Sequence, residues 1–543
     1  MSTLSIGVAA LRNASVALAT TSHNIANVNT EGYRRQNVIF ANNPPLFSGS
    51  GFIGQGAQIV TVERSYNQFL EQQLTQVDAQ NAYWQKKAVA LGQIDAVLGD
   101  RSAGLSAALQ GFFASWSDLA NDPAGTEARQ GVLGAAHTLT DTLNAQGAYL
   151  ASLQEGVNAD VTSLVSRVND LARQVAELNQ RIGALQGASG HPANDLLDQR
   201  DEALAQLNRL AGVSVVRNGD ADYSVFIGGQ ALVLNDTVNP LVAQASPYDP
   251  TRIEVYAGTT ALSRPGSLGG ELGALLDYRQ ESLDPAQNAL GRIALAVAQQ
   301  VNTLHQSGRD LAGNLGGSFF TDPTNLPQTF AAQSNTGSGV LTATLANSSQ
   351  LTTSDYELRF DGAQYTLRRL SDGQTWSDAS LATLSATAAQ GFTLTMAGAP
   401  VAGDGFLIRP TAAASINLGV AITDASKIAA ADNAASPGDI LDNRNALAIA
   451  ALGSDRSVIA GNNGFESAYG AWVSEIAHAT ALAKSQGAVF DNLLEQAKAA
   501  QQAQSGVNLD EEAANLMQYQ HYYQAAAQMI KVTEKLFETI LSL

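Results

Sequence analysis

Large apolar residues recur every seven positions at both ends of the chain. The residues of this repeat are Leu4, Leu11, Leu18 and Ile25 at the start, and Leu509, Leu516, Tyr523, Ile530 and Phe537 at the end. A seven-residue repeat places its members on one narrow face of an α-helix. A face this narrow does not stabilise an isolated helix in water. We therefore expect each terminal helix to have a partner, either the other terminal helix or a neighbouring copy of the chain.

The middle of the chain alternates between helical and strand-like patterns. Apolar residues three and four positions apart from Leu150 to Leu185 predict a long helix with a coiled-coil-like seam, and a further helix is predicted at about 270–306. Alternating apolar and polar residues, separated by Gly-rich turns, predict β structure after Val213 and again at about 325–420. The pattern is helical again from about residue 440 onward.

Together these patterns predict an α+β multidomain protein. Long terminal and central helices would form a coiled-coil-like bundle with the N- and C-terminal segments paired, and mostly-β outer domains would be inserted between them. The predicted units are a terminal coiled-coil inner domain (1–60 with 505–543), a helical bundle domain (61–212 with 270–320 and 421–504), and one or more β-rich outer domains (213–269 with 321–420). A length of 543 residues suits several domains.

The charge and the absence of cysteine exclude several classes of protein. The chain has 30 Lys and Arg against 49 Asp and Glu, a formal net charge of -19 at pH 7. Binding to nucleic acid requires clustered basic residues, so we expect no nucleic-acid partner. Without cysteine there is neither a disulfide nor a thiolate metal site. The first 21 residues lack the basic and long apolar regions of a cleaved signal peptide, and no membrane insertion is expected.

No arrangement of residues in the sequence indicates catalysis. The six histidines lie far apart, without the spacing of metal ligands. Gly49 to Gly54 matches the GxGxxG pattern, but no strand precedes it and no helix follows, which favours a turn over a dinucleotide site. The acidic stretch DLLDQRDE, 195–202, is expected to form a solvated helix face with local ion pairs. We therefore expect no enzyme activity, no cofactor and no metal.

The stretch SHNIANVNTEGYRR directly follows the first helical pattern. It resembles the signature shared by the axial rod and hook proteins of the bacterial flagellum. The matching residues are Asn24, Ile25, Ala26, Asn27, Thr30, Gly32, Tyr33, Arg34 and Arg35. SGVNLDEE, 505–512, resembles the C-terminal motif of the same family. GQGAQIVTVERSYNQFLEQQL, NDLLDQRDEALAQLN and GSLGGELGALLDYRQESLD further resemble the hook-associated members of the family.

The resemblance implies a structural component of the bacterial flagellum that self-assembles into a ring between hook and filament through its terminal helices. The implied partners are copies of itself, the hook protein FlgE, the junction protein FlgL and the export chaperone FlgN. It also implies an extracellular location, reached through the flagellar type III apparatus without a cleaved signal peptide. The nine apolar residues of the two heptad repeats are then the predicted assembly seam. Arg34 and Arg35 are expected to pair with acidic groups of a neighbouring subunit.

Two alternatives stay open at this point. A flagellar hook subunit, or another axial subunit, would share both terminal signatures, although about 150 residues of helical pattern after Tyr66 oppose a mostly-β middle. A cell-wall hydrolase associated with the axial structure is less favoured, because the β segments contain no catalytic signature.

Overall fold

A computed structural model of the protein describes residues 3–47, 49, 51–98, 104–219, 221–264, 266–434, 439–461 and 463–542. Its α-helices are α1 (Thr3–Ala26), α2 (Gln68–Leu98), α3 (Leu105–Asn121), α4 (Thr126–Ser189), α5 (Asn194–Ala211), α6 (Gly270–Tyr278), α7 (Asp284–Ser307), α8 (Leu381–Ala388), α9 (Ala414–Asn417), α10 (Arg444–Ala451), α11 (Phe465–Ser505) and α12 (Leu509–Leu541). A π-helical turn, Arg279–Leu283, joins α6 to α7, and short 3-10 helices span Pro323–Asn325, Ser348–Gln350 and Ala425–Lys427. Long terminal and central helices with strands in separate sheets confirm the predicted α+β class.

The strands form small antiparallel sheets. They are β1 (Gln36–Asn42), β2 (Leu46–Phe47), β3 (Phe52–Ile53), β4 (Ala57–Arg64), β5 (Val213–Arg217), β6 (Tyr223–Ile227), β7 (Gln230–Leu234), β8 (Thr237–Val238), β9 (Leu241–Ala245), β10 (Ile253–Ala257), β11 (Thr260–Ala261), β12 (Gly308–Arg309), β13 (Gln328–Ala331), β14 (Val340–Leu345), β15 (Tyr356–Phe360), β16 (Tyr365–Arg369), β17 (Thr375–Asp378), β18 (Phe392–Ala397), β19 (Gly405–Arg409) and β20 (Ala431–Asp432). Their orders are β1-β4, β2-β3, β5-β6-β7-β8, β11-β10-β9, β12-β20, β13-β19-β15-β16-β17 and β14-β18.

Helix α4 is the central element of the fold. Its 64 residues extend about 96 Å at the usual rise of 1.5 Å per residue, and it ends where Gly190 adopts a left-handed conformation with φ 71°. The predicted seam is buried along most of its length, with Leu185 exposed. Helices α3, α5, α7 and α9 pack on α4, as do the edges of the sheets formed by β5 to β11. The seam is therefore covered by both helices and sheet.

The strands fall into two blocks along the chain, a first block of β5 to β11 and a second block of β13 to β19. A buried ionic cluster joins both blocks to α7. Arg252, before β10, contacts Asp284 at the start of α7 with 2.5 Å between the charged atoms. Arg409 of β19 lies 3.3 Å from Asp249 and 3.3 Å from Asp355. Because each charge has a partner of opposite sign, the cluster can be buried and can fix the second block of strands against the helical part. The predicted division of the chain into a terminal coiled-coil domain, a helical bundle domain and β-rich outer domains stays a prediction.

Helices α1 and α12 bring the two ends of the chain together. Within the described residues, α1 is the helix that is long and apolar enough to cross a membrane, judged by length and composition alone. Helices packed inside a protein pass the same test, and here α1 packs along α12. The pairing is antiparallel, because Gly7 lies beside Ile530 while Asn24 lies beside Glu512.

Candidate assembly interface

Small residues form the contact between α1 and α12. Gly7, Ala14 and Thr21 are buried on α1, and Ala526 and Thr533 are buried on α12. A Cβ atom at Gly7 would lie 3.0 Å from the Cγ1 atom of Ile530, so a larger side chain would force Ile530 to shift. Short side chains let the two helix axes approach closely, so this contact gains its stability from dense packing of backbone and small groups.

The predicted assembly seam does not coincide with this contact. The buried residues lie three positions after members of each heptad repeat, which is an adjacent stripe of the helix surface. Half-buried positions flanking the contact are Leu4, Leu11, Leu18, Ile25, Leu516 and Ile530; exposed positions are Leu509, Tyr523 and Phe537. Ile530 lies against Gly7, so the predicted seam borders the contact in part, and the use of these nine residues in assembly stays a prediction. The pairing uses the small residues, and part of the apolar stripe on α12 stays uncovered.

Many large apolar side chains of α12 remain exposed. Its exposed side chains are Leu509, Met517, Tyr522, Tyr523, Met529, Val532, Leu536, Phe537, Ile540 and Leu541. Val532 is 59% exposed and Ile540 is 67% exposed. So many exposed large apolar side chains on one helix are typical of a protein-protein contact.

Asn24, in the middle of the axial-family motif, is a fully buried hub of hydrogen bonds. Its amide Nδ2 donates to the Gln36 carbonyl (2.9 Å) and to the Glu512 carboxylate (3.2 Å). Its Oδ1 accepts from the Gln36 N–H (2.9 Å) and from the Tyr33 hydroxyl (2.7 Å). Burial, together with the nearby carboxylates of Asp195 and others, raises the pKa of Tyr33, which keeps this hydroxyl a donor. One side chain thus ties the end of α1 to β1 and to α12.

The turn between α1 and β1 uses the other polar residues of the motif. The last residue of α1 is Ala26. The side-chain amide of Asn27 donates to the His23 carbonyl oxygen at 3.0 Å. The Thr30 hydroxyl donates to Asn27 Oδ1 at 3.1 Å. Gly32 has φ 76°, and a Cβ there would lie 3.1 Å from Glu202, so both conformation and space favour glycine. The chain can therefore reverse sharply after α1.

Arg34 lies buried at the point where the motif meets α2 and α5. Its guanidinium is 2.5 Å from Glu71 and 3.4 Å from Asp198, and its backbone N–H donates to Asp198 at 3.0 Å. Arg64 of β4 is 2.7 Å from both Asp198 and Asp201. Burial by itself would lower the pKa of Arg34, but the carboxylates, Glu71 foremost, outweigh it and raise that pKa.

Arg35 makes the corresponding link to the start of α12. Its guanidinium is 2.6 Å from Glu511 and 2.8 Å from Glu512, and its N–H donates to the Ser505 carbonyl at 3.0 Å. Asn508 caps α12 by accepting from the N–H groups of residues 510 and 511, as its position before the helix predicts. We call the largely buried group Asn24, Arg34, Arg35, Arg64, Glu71, Asp198, Asp201 and Glu512 the terminal node.

The terminal node bears on two expectations about charge. Arg34 and Arg35 pair with carboxylates of their own chain, and a pairing with a neighbouring subunit stays a prediction. The expectation of a solvated face on α5 was wrong for Asp198 and Arg200, which are 4% and 0% exposed, whereas Asp195 is exposed. Arg34 and Arg64 neutralise the aspartates, which explains how the face can be buried. Their partners lie far away in the chain, so no local pattern indicated them.

The site is suited to holding structure together and offers no evident chemistry. Among the described residues, no group of three or more His, Asp or Glu side chains has an arrangement that could hold a metal ion. The carboxylates of the terminal node are paired with arginines.

Family models match successive parts of the chain. Residues 91–320 match the flagellar hook-associated protein FlgK helical domain, and residues 330–410 match the flagellar hook-associated protein 1 D2-like domain. Residues 4–34 match the flagella basal body rod protein, and residues 501–543 match the flagellar basal body rod FlgEFG protein C-terminal region. The last two matches cover both terminal motifs.

Relatives match the chain over nearly its whole length. Flagellar hook-associated protein 1 of Escherichia coli (strain K12) is 34% identical over 540 residues, covering 98% of each chain. The protein of the same name from Salmonella typhimurium is 34% identical over 548 residues, again covering 98% of each. The solved structure of the flagellar hook junction protein FlgK from Burkholderia pseudomallei covers 79% of this chain and 99% of its own, with 27% identity and a TM-score of 0.71.

Proposed function

Because this chain belongs to the FlgK family of flagellar hook-associated proteins, we propose that it self-assembles into a ring at the hook-filament junction through its two terminal helices. Proteins of this family are structural components of the bacterial flagellum, and a part in motility and flagellum assembly follows from membership. The proposed role is one of contact and support, without catalysis.

The observation that carries this proposal is the uncovered apolar surface of α12. Within one chain, α1 covers part of α12, through a stripe of small residues and the half-buried residues beside it. Complete burial of one large apolar side chain stabilises by roughly 1.5–3 kcal/mol. Burial of several half-exposed side chains between subunits would therefore supply a substantial part of an assembly contact, after the cost of association.

The terminal node gives this helix pair a fixed direction. Asn24 and Arg35 hold the start of α12, while Arg34 and Arg64 hold the motif to α2 and α5. A helix pair anchored in this way would transmit force from neighbouring subunits to the helical body through paired buried charges. This supports a bracing role between hook and filament.

The partners of the junction follow from its position. We propose that the ring contacts the hook protein FlgE on one side and the junction protein FlgL on the other. The export chaperone FlgN would bind the apolar face of α12 before export, as an amphipathic helix binds in a groove. Export through the flagellar type III apparatus would place the protein outside the cell without a cleaved signal peptide.

Cells that lack this protein test the proposal directly. Electron microscopy is expected to show complete hooks without filaments, and flagellin is expected in the medium. Loss of the hooks would indicate a hook or rod subunit instead. Normal filaments would refute the junction role.

Complementation with surface variants tests the use of α12. The double variant Val532→Asp and Ile540→Asp is expected to leave filaments absent, because charges would enter a buried contact. Val401→Asp is the matched control, since Val401 is also exposed but lies in the second block of strands, far along the chain from α12. Equal filament formation by both variants would contradict assembly through α12.

A further inference from the structure

The hairpin that follows the axial-family motif has an apolar tip exposed to solvent. Strands β1 and β4 pair from Gln36 with Arg64 to Asn42 with Ala57, and the short pair β2-β3 forms the tip. We define the hairpin tip as Leu46, Phe47, Phe52 and Ile53, which are 57%, 63%, 75% and 56% exposed. The two Phe rings contact each other, with centroids 5.4 Å apart. Gly49 and Gly51 have positive φ in the turn between the strands, as the sequence predicts, and Ser50 lies outside the described residues.

Apart from Glu63 and Arg64 at its base, the hairpin is also free of charge. Residues 36–62 contain no Asp, Glu, Lys or Arg, although 30 basic and 49 acidic residues occur in the 543. A stretch of this length would contain about four charged residues at the average density of the chain. Two copies of a chain with a formal charge of -19 repel each other. An uncharged, apolar hairpin is therefore a part of the surface where a second copy can approach without that repulsion.

A groove beside the hairpin offers apolar side chains to such a tip, among polar and charged ones that include Arg12, Arg181 and Asp195. It lies between α1, β4 and the connection from α4 to α5, with a volume of about 1710 Å³. Its apolar lining includes Leu4, Val8, Val60 and Leu185. Small-molecule pockets are usually roughly 300–1,000 Å³, so this groove is larger and better suited to a segment of polypeptide. The hairpin tip does not line the groove of its own chain.

We propose that the hairpin tip of one copy docks into the groove of the next copy. This inference rests on the proposed self-assembly and specifies a contact within it. Tip and groove are different surfaces, so the contact is heterologous and can repeat from copy to copy around a ring or along a helical lattice. The groove is formed in part by α1, so the docked tip lies next to the contact that the terminal helices make.

Engineered cysteines test the docking, because the chain contains none of its own. The pair Phe52→Cys and Val8→Cys places one thiol on the tip and one in the groove, both at exposed positions. Oxidation of flagella that contain this variant is expected to give disulfide-linked dimers and larger oligomers on a nonreducing gel. A disulfide requires Cα atoms about 4.4–6.8 Å apart, so the ladder reports direct contact.

Two controls give the result its meaning. Phe52→Cys with Val340→Cys, an exposed residue of β14, is expected to give no ladder. Dimers from Phe52→Cys alone would mean contact between two tips and would overturn the inference. A link confined to a single chain, or no link in flagella that assemble normally, would overturn it as well.

A second variant separates this inference from the proposed function. Phe47→Ser with Phe52→Ser is expected to fold normally, since both rings are exposed, and to reduce the number of filaments at least tenfold. If this variant forms filaments as the wild type does while deletion of the protein abolishes them, the docking fails and the junction role stands. Filaments that persist in the deletion strain would instead refute the proposed function.

Discussion

Removal of the Arg34 guanidinium tests whether the terminal node holds the chain ends to the body. Arg34→Met keeps a long aliphatic side chain but leaves Glu71 without the Arg34 guanidinium, which lies 2.5 Å from it in the wild type and is its closest charged partner. Asp198 and Asp201 keep Arg64 at 2.7 Å, so most of the uncompensated charge falls on Glu71. Breaking a buried pair on one side costs about 3–5 kcal/mol. We expect about 3 kcal/mol, the lower end, because Arg64 and the Gln501 amide remain.

Native-state hydrogen exchange is the suitable assay, since a protein of several domains has no single free energy of unfolding. A loss of 3 kcal/mol in local opening corresponds to about 150-fold faster exchange of the amides of β1 and the first turns of α2. The matched control is Arg173→Met, which removes an exposed arginine paired with Asp170 on α4. Arg34→Met with Glu71→Gln should recover part of the protection. Exchange less than tenfold faster, or an equal effect of Arg173→Met, would refute the reasoning.

Three further predictions concern other parts of the fold. Burial lowers the pKa of His305 to about 4. As the pH falls, this histidine is therefore protonated in the unfolded chain before it is protonated in the folded one. The free energy of unfolding is at its full value above pH 6.5 and drops by about 3 kcal/mol towards pH 4. His305→Gln has no titrating group at this position and should not lose this stability. The difference in Tm between wild type and His305→Gln should therefore narrow as the pH falls from 6.5 to 4. Gly291→Ala should lower Tm strongly, because its Cβ would overlap the Thr411 carbonyl oxygen, whereas Gly183→Ala, which has room on α4, should be neutral or stabilising. Asn508→Ala should cost about 1 kcal/mol at the start of α12, measured by hydrogen exchange there.

The sequence was informative where a periodic pattern determines a local element. The heptads of the two ends and the spacing on α4 predicted helices that the structure contains. The same patterns did not identify the buried stripe of α1 and α12. Gly7, Ala14 and Ala526 have little apolar surface and are weak in a hydrophobic pattern, yet their small size decides which faces come together.

The charged residues of the terminal node could not be predicted from local sequence. Arg34 and Asp198 are separated by 164 positions. Asp198 and Asp201 on a helix look like solvated residues until a basic partner from another element is known. Glu512 is, by sequence, one of three acidic residues in the first turn of α12, yet it also accepts from Asn24 and contacts Arg35. Such residues become visible only once the topology brings the elements together.

The hydrogen bond between Asn24 and Glu512 also has a consequence in time. The two residues are 488 positions apart, so the bond forms only after nearly the entire chain has been made. Until then α1 has no α12 beside it, and helices this narrow in apolar surface do not persist alone. Closure of the two ends is therefore among the last steps of folding, and the helix pair matures only when the final segment arrives.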